Sequence, residues 1–210
     1  MKAGSWWQLT SSIMNRKKFL AFALIFGIAL NTVAAQQGGG GLRLTDAEMF
    51  AADYPLVGPD NLFVYRNARE TAAILANGSG IVFMGFKECP WCQYYAVYLN
   101  EAAREMGIKR IFYCDIREDR QNNTAAYKRI VSILSNRLQY DDEGRERVFV
   151  PDVTILFNGR IIGRDYETSK ETLGYKNPEE YWTRGRINSL KERLKKSIIG
   201  LIQSDDDCGC

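Results

Sequence analysis

The stretch that decides the fold is "GIVFMGFKECPWCQ", residues 80–93. Its first half is an unbroken apolar run, which is typical of a strand covered on both faces of a sheet. Two cysteines follow, Cys89 and Cys92, and from Pro90 onward the apolar residues recur with the spacing of a helix. The sequence therefore predicts a buried strand, a short loop and a helix, with both cysteines where the helix begins.

The elements on either side of this stretch predict an α/β fold. Strands are predicted at 61–65, 80–86 and 110–116, and as a hairpin that turns at Asn158-Gly159 within 148–166. Helices are predicted at 67–77, 90–106, 127–138 and 177–202, and a charged loop at 141–147. Strands that alternate with helices and then end in a hairpin predict a central mixed β-sheet with helices on both faces.

The N-terminus has the pattern of an export signal. Basic residues at 16–18 precede an apolar stretch at 19–30, and small residues at 33–35 are typical of a cleavage site. Residues 1–35 are predicted as a signal peptide, with a mature chain that starts near Gln36. The alternative is an uncleaved membrane anchor, and either reading predicts that the folded part lies outside the cytoplasm.

The composition divides the rest of the chain into three parts. Residues 36–60, with four glycines at 38–41, are predicted as a flexible linker, residues 61–203 as one folded domain, and residues 204–210 as an acidic tail. Without residues 1–35 the chain has 24 basic and 25 acidic residues, so its charge is nearly balanced. We therefore expect no nucleic-acid partner, and we expect the protein to be a monomer.

The pair Cys89 and Cys92 has three readings: a metal site, a structural staple or a redox centre. A structural zinc site needs four ligands. The chain has no histidine, and of its other three cysteines two lie in the tail and one, Cys114, in a predicted strand. A disulfide across two residues removes little entropy from the unfolded chain, so a staple explains the pair poorly. The pattern favours redox exchange, with no metal and no cofactor.

The predicted helix start gives the two cysteines different roles. Unpaired backbone N–H groups and the helix dipole stabilise a thiolate at Cys89, and the thiolate is the species that attacks a disulfide. Cys92 lies one turn further along on the buried side, where it would resolve the mixed disulfide. Pro90 suits the first turn because it has no N–H to donate, and Trp91 offers substrate an apolar surface beside the reactive sulfur.

With this strand–CxxC–helix arrangement, residues 61–203 resemble the thioredoxin superfamily. That superfamily has a proline, usually after a cis peptide bond, before its fourth strand, and Val150-Pro151 stands at the corresponding place. The resemblance implies that the backbone of Val150 pairs with a substrate chain and that Pro151 keeps metals away from the dithiol. At finer grain, "GFKECPWC" with a charged loop and a cysteine-bearing acidic end is similar to exported thioredoxin-like proteins of Gram-positive bacteria, including bacteriocin transport accessory proteins.

Three features depart from thioredoxins proper. The dipeptide between the cysteines is Pro-Trp, and Phe83 occupies the position of a buried aspartate that helps to deprotonate the inner cysteine in thioredoxins. Glu88, which precedes the motif, should raise the pKa of Cys89, whereas Lys87 should lower it. The sequence therefore leaves the direction of electron flow open.

The tail, "SDDDCGC", contains a second cysteine pair, Cys208 and Cys210. A disulfide across one residue closes a strained ring that exchanges easily, so one hypothesis is a second dithiol that passes electrons to or from Cys89. The alternatives are a metal site of thiolates and carboxylates, and a terminus without function. Cys114 is interpreted as a small buried hydrophobic residue.

Together these patterns predict an exported thiol–disulfide oxidoreductase, secreted or tethered at the outer face of the cytoplasmic membrane. The expected partners are protein or peptide thiols and disulfides, and a membrane or secreted redox protein that recharges the dithiol. One alternative is a non-catalytic accessory module that holds secreted peptides in the same groove, and another is a metal chaperone.

Overall fold

The fold is described by a computed structural model that covers residues 44–166 and 174–207. The predicted signal peptide at 1–35 and the tail cysteines Cys208 and Cys210 lie outside these residues. The first part of the predicted linker lies outside them as well.

Five of the strands among the described residues form one sheet. The strands are β1 Phe63–Tyr65, β2 Gly80–Gly85, β3 Ile111–Asp115, β4 Gln139–Tyr140, β5 Glu146–Arg147, β6 Asp152–Phe157 and β7 Arg160–Asp165. Their order in the sheet is β1-β3-β2-β6-β7, with β1, β3 and β2 parallel, β6 antiparallel to β2, and β7 antiparallel to β6. Strands β4 and β5 form a separate hairpin. The predicted mixed sheet is confirmed.

The helices pack on both faces of this sheet. They are α1 Asp46–Asp53, α2 Ala68–Asn77, α3 Pro90–Glu105, α4 Arg117–Gln121, α5 Ala125–Leu134, α6 Pro178–Tyr181 and α7 Arg184–Asp207. The core on one face contains side chains from α1, α3 and α7, and the core on the other face contains side chains from α2 and α5. Among the described residues, no helix combines the length and the apolar composition that a membrane crossing requires.

Strand β2 is covered on both faces. Ile81 and Phe83 contribute to the core beneath α1, α3 and α7, whereas Val82 and Met84 contribute to the core beneath α2 and α5. Because successive side chains of a strand point to opposite faces, a strand at the centre of two cores has no polar alternation. This burial explains the apolar run in the sequence.

The folded region begins earlier than the predicted boundary at residue 61. Helix α1 lies inside the segment assigned to a flexible linker, and it begins with a capping box in which Thr45 and Glu48 satisfy each other's backbone N–H groups. Phe50 and Tyr54 are fully buried, and their stacked rings have centroids 4.3 Å apart. Burial of two aromatic side chains offsets the entropy lost when this segment becomes ordered. The glycines before the segment indicate flexibility and give no sign of this burial.

Replacing Thr45 with alanine is expected to lower the free energy of unfolding by about 1 kcal/mol, because the N–H of Glu48 loses its acceptor. Urea denaturation measures the change. The matched control is Leu44→Ala, an exposed residue just before the cap, which should change stability by less than about 0.5 kcal/mol. Equal stability of both variants would mean that α1 is not part of the cooperative domain.

Two short elements depart from the predicted pattern. The charged segment 141–147 contains the turn of the β4–β5 hairpin, where the carboxylate of Asp141 accepts hydrogen bonds from the backbone N–H groups of Glu143 and Arg145. An aspartate that accepts backbone N–H groups in this way is a sequence signal for a turn, and the charged composition of the segment obscured that signal. Helix α4, which follows β3 after the single residue Ile116, was not predicted, and it positions Arg120.

Candidate active site

Cys89 is the N-cap of helix α3. Its backbone is extended, with φ −82° and ψ 109°, and its sulfur accepts a hydrogen bond from the backbone N–H of Cys92 at 3.1 Å. Pro90 occupies the first turn, where its missing N–H costs no hydrogen bond. The sulfur of Cys89 thus stands where a serine or aspartate oxygen caps most helices, and the helix dipole favours a negative charge there.

The two sulfurs differ in their access to solvent. Cys89 keeps 6 % of its surface exposed, whereas Cys92 is fully buried on the side of α3 that carries Ala96 and Leu99. Both cysteines are free thiols. Cys89 is the more accessible of the pair, but it is covered more than the sequence indicates.

The surroundings move the pKa values of the two thiols in opposite directions. The hydrogen bond from the thiol of Cys92 holds the pKa of Cys89 below its usual value, and the backbone N–H groups of Cys92 and Trp91 and the charge of Arg120 add to this effect, against burial. Burial raises the pKa of Cys92 well above its usual value. Cys89 is therefore the thiol that ionises first, and Cys92 keeps its proton longer.

Each of the two charged residues that precede Cys89 has a partner. The Nζ of Lys87 lies 3.1 Å from a carboxylate oxygen of Asp53, and Arg117 lies 2.9 Å from a carboxylate oxygen of Glu88. The predicted opposition between Glu88 and Lys87 is therefore replaced by two ion pairs. The cation that lowers the pKa of the cysteine is Arg120.

Arg120, in α4, links the dithiol loop to the segment before β6. Its guanidinium carbon lies 5.1 Å from the centre of the Phe86 ring, and its Nη1 donates to the carbonyl of Val148 at 3.2 Å. Among the described residues, its buried Nε has no hydrogen-bond partner. Nothing in the local sequence singles out this arginine, because α4 is a short run of polar residues and only the tertiary fold brings it to the site.

The second predicted motif lies at the same end of the sheet as the first. Asp152, the first residue of β6, pairs with Met84 near the end of β2, so the preceding Val150-Pro151 lies where β2 leads into the cysteine loop. The Val150-Pro151 peptide bond is cis, as the resemblance implies. Val150 is partly buried against both cores, and Pro151 is buried. The fold thus brings the CxxC helix and the proline segment to one edge.

A buried ion pair holds the strand that follows this proline. Asp152 is fully buried, and its carboxylate is bound by the almost fully buried guanidinium of Arg164, whose Nε lies 3.4 Å from Oδ1. The hydroxyl of Thr154 donates to the same oxygen at 3.2 Å, and Arg164 also donates to the carbonyl of Arg137. The start of β6 is therefore tied to β7 and to the segment after α5. An acidic residue inside the apolar run "VPDVTILF" was the sequence signal for this pair.

Trp91 packs against helix α6. Its ring meets Tyr181 edge to face with centroids 5.6 Å apart, and the hydroxyl of Tyr94, one turn further along α3, donates to Glu179. Trp182 packs edge to face on Tyr181 at 4.8 Å. Trp91 therefore has a packing partner within the chain. Only the part of its ring that Tyr181 does not cover can provide the apolar surface predicted for substrate.

Aromatic residues surround the inner cysteine. Phe83, which the resemblance in sequence assigns to the position of the thioredoxin aspartate, is fully buried. A Cβ atom at Gly85 would lie 3.1 Å from the Phe83 ring, 3.3 Å from the sulfur of Cys92 and 3.3 Å from the hydroxyl of Tyr54, so glycine leaves room for all three. The hydroxyl of Tyr54 donates to that of Tyr113 at 3.1 Å. Polar neighbours of Cys92 in this core thus include phenol hydroxyls, whose pKa values burial raises.

Cys114 is fully buried in the core on the other face, as interpreted from the sequence. Burial raises the pKa of its thiol to about 12, so it does not ionise near neutral pH. Cys114 serves as an internal control for experiments on the dithiol.

The end of helix α7 lies away from the dithiol. Arg193 pairs with Asp165, which is in register with Val153 at the dithiol end of the sheet, whereas Ser204 lies 3.5 Å from Arg160 at the other end. Cys208 and Cys210 lie beyond the described residues, and their predicted exchange with Cys89 stays a prediction.

The hydrogen bond between the two thiols gives a pH prediction. Cys92→Ala is expected to raise the pKa of Cys89, because the thiolate loses its strongest donor, whereas Cys92→Ser keeps an O–H donor at the same place. Alkylation of the Cys89 peptide by iodoacetamide, followed by mass spectrometry across pH, measures the midpoint. We expect the midpoint of the alanine variant to lie at higher pH than that of the serine variant. Equal midpoints would contradict the assigned hydrogen bond.

Comparison with protein-family models, with curated proteins and with solved structures finds no match for this chain. The parallel β1-β3-β2 core, the antiparallel β6 and β7, and the cysteine pair at the start of α3 are compatible with a thioredoxin-like fold. Within residues 44–166 and 174–207, no group of three or more His, Cys, Asp or Glu side chains is placed to hold a metal ion.

Proposed function

We propose that the protein is a thiol–disulfide oxidoreductase in which Cys89 attacks and Cys92 resolves. The observation that carries the proposal is the different placement of two thiols one helical turn apart: the sulfur of Cys89 caps the start of α3 and accepts the backbone N–H of Cys92 at 3.1 Å, whereas Cys92 is fully buried. A purely structural thiol pair needs no such contrast. The small exposed fraction of Cys89 and the full burial of Cys92 support the same order of events.

The exchange begins when the thiolate of Cys89 attacks one sulfur of a substrate disulfide. The substrate S–S bond breaks, a mixed disulfide forms, and the departing substrate sulfur takes up a proton. Cys92 then loses its proton and attacks the sulfur of Cys89, which releases the second substrate thiol and forms the Cys89–Cys92 disulfide. Two electrons pass from the protein dithiol to the substrate, and the reverse sequence oxidises a substrate dithiol.

The segment Val150-Pro151 is proposed to align the substrate. Its position at the dithiol end of the sheet supports pairing of the Val150 backbone with an incoming extended chain. The sequence pattern at 16–35 supports action outside the cytoplasm, where protein disulfides persist. A membrane or secreted redox protein would recharge the dithiol.

A single-turnover reaction tests the proposal. Reduced protein is mixed with a peptide that contains one disulfide, and peptide thiols and the Cys89–Cys92 disulfide are quantified by mass spectrometry. We expect one protein disulfide for each peptide disulfide reduced. Binding of the peptide without thiol turnover would favour the accessory module instead, and bound metal that survives desalting would favour a metal chaperone. Equilibration in glutathione buffers then gives the reduction potential and the direction of electron flow.

A further inference from the structure

A basic cavity is lined in part by Arg120, whose charge acts on the thiolate of Cys89. It has a volume of about 450 Å³ and opens between α4, α5 and the β4–β5 hairpin. Its charged lining residues are Arg120, Lys128, Arg145, Arg147, Asp141 and Glu146. Four cations and two carboxylates give the lining an excess of positive charge.

Both carboxylates of the cavity are occupied by bonds within the chain. Asp141 accepts hydrogen bonds from the backbone N–H and the guanidinium of Arg145, which closes the hairpin turn. Glu146 accepts hydrogen bonds from the hydroxyl of Ser135 and the backbone N–H of Asn136, each at 2.8 Å. These acids hold the hairpin against the end of α5, and with four cations against two carboxylates the lining keeps an excess of two positive charges.

The remaining cations are available to a ligand. Arg147 approaches Asp141 only at 3.9 Å, and within the described residues neither Arg120 nor Lys128 forms an ion pair with a carboxylate. The guanidinium of Arg120 is half-buried, and its Nε lacks a hydrogen-bond partner there. Burial and the like charge of Arg147 lower the pKa of Arg120. Two cations held together in a partly buried site are stabilised by an anion that joins them.

Two residues of the cavity lining also bind the segment that leads to Val150. Arg120 and Tyr127 both line the cavity, and both bind the backbone of Val148. Arg120 donates to the carbonyl of Val148, and the N–H of Val148 donates to the hydroxyl of Tyr127, each at 3.2 Å. Val148 lies two residues before Val150. Residues two positions apart in an extended chain lie about 7 Å apart, so a substrate strand paired with the backbone of Val150, as proposed above, would bring a neighbouring side chain near the cavity.

We propose that this cavity is a subsite for a substrate carboxylate. The protein selects disulfides that carry an aspartate or glutamate within a few residues of the reacting cysteine, and the inference rests on the proposed oxidoreductase function. Arg120 and Arg147 present planar guanidinium groups that bind a carboxylate through paired N–H donors. Lys128 adds a third positive charge at the rim.

Matched peptides test the subsite. Each peptide contains a single cysteine that is linked by a disulfide to uncharged 2-thiopyridine. One residue within three positions of this cysteine is either glutamate or glutamine, and all other residues are neutral. The release of thiopyridone by reduced full-length protein gives the second-order rate constant. We expect glutamate to react about tenfold faster than glutamine at one or more positions, the size typical of a charge-assisted hydrogen bond.

Three variants identify the source of this preference. Arg147→Gln and Lys128→Gln should each bring the glutamate-to-glutamine ratio toward one. Lys109→Gln removes the same charge from an exposed residue before β3, at the end of the sheet opposite to the dithiol, and should leave the ratio unchanged. Arg120 is left intact because it also acts on the thiolate.

The outcomes separate the subsite from the chemistry. Equal rates for glutamate and glutamine at every position overturn the subsite and leave the oxidoreductase proposal standing. A preference for glutamate that survives both Arg147→Gln and Lys128→Gln also overturns it. If the wild-type protein reacts with neither peptide series, the proposed function fails, and the subsite fails with it.

Discussion

Replacing Cys89 with serine is expected to lower the rate of disulfide exchange by a factor on the order of 10³ or more, the size seen when an enzyme loses its nucleophile. A serine hydroxyl does not ionise near neutral pH, so the helix start stabilises no attacking anion. Single-turnover reduction of a peptide disulfide, followed through the released thiols, measures the loss. The matched control is Cys114→Ser, which removes a thiol from the other core and should leave exchange nearly unchanged.

Cys92→Ser should have a different result from Cys89→Ser, although both remove one sulfur. With the nucleophile present and the resolving thiol absent, the first half of the reaction proceeds and the mixed disulfide accumulates. Intact-mass spectrometry should then find the substrate attached to Cys89. Exchange that persists in Cys89→Ser, or the absence of a mixed disulfide in Cys92→Ser, would contradict the assigned roles.

Breaking the ion pair between Asp152 and Arg164 is expected to destabilise the fold by about 3–5 kcal/mol, because either single change leaves a buried group without its partner. Asp152→Leu leaves the almost fully buried guanidinium of Arg164 unneutralised, and Arg164→Met leaves the carboxylate in the core. Urea denaturation of both reduced variants measures the change. Because Asp152 follows Pro151 directly, we also expect slower exchange from these variants.

The double variant Asp152→Leu/Arg164→Met is the control for this prediction. Replacing both charges with apolar side chains removes the desolvation cost of each, so the double variant should be more stable than either single variant. If the destabilisations simply add, the two residues do not act as a pair.

The central part of the fold was predictable because its local signals agree with its tertiary role. The run at 80–85 is apolar without alternation because β2 lies between two cores, and Pro90 and the glycine after α3 mark the ends of that helix. Asn158-Gly159 predicted the β6–β7 turn because both residues adopt positive φ, 48° and 74°. At these places propensity, hydrophobic pattern and turn chemistry favour the same structure.

The electrostatic part of the site could not be predicted in the same way. Sequence adjacency suggested that Glu88 and Lys87 act on the thiolate, but each is paired with a residue from another element. Arg120 reaches the site only because β3 and α4 pass beside the cysteine loop. Helix α1 was assigned to a linker because of the glycines before it, although Thr45 and Glu48 have the spacing of a capping box. Contacts between residues that are distant in the sequence leave no pattern in the local sequence from which they could be predicted.

Helix α7 determines how the C-terminal cysteines could meet the dithiol. Three residues follow Asp207, the last residue of α7, and an extended chain advances about 3.5 Å per residue, which gives Cys210 a reach of about 10 Å beyond the helix. The six residues of β2 alone extend for about 17–20 Å between the two ends of the sheet. While α7 is intact, a disulfide between Cys89 and Cys208 or Cys210 therefore has to join two molecules. Its yield should fall on dilution, and the tail would then transfer electrons between two copies of the protein.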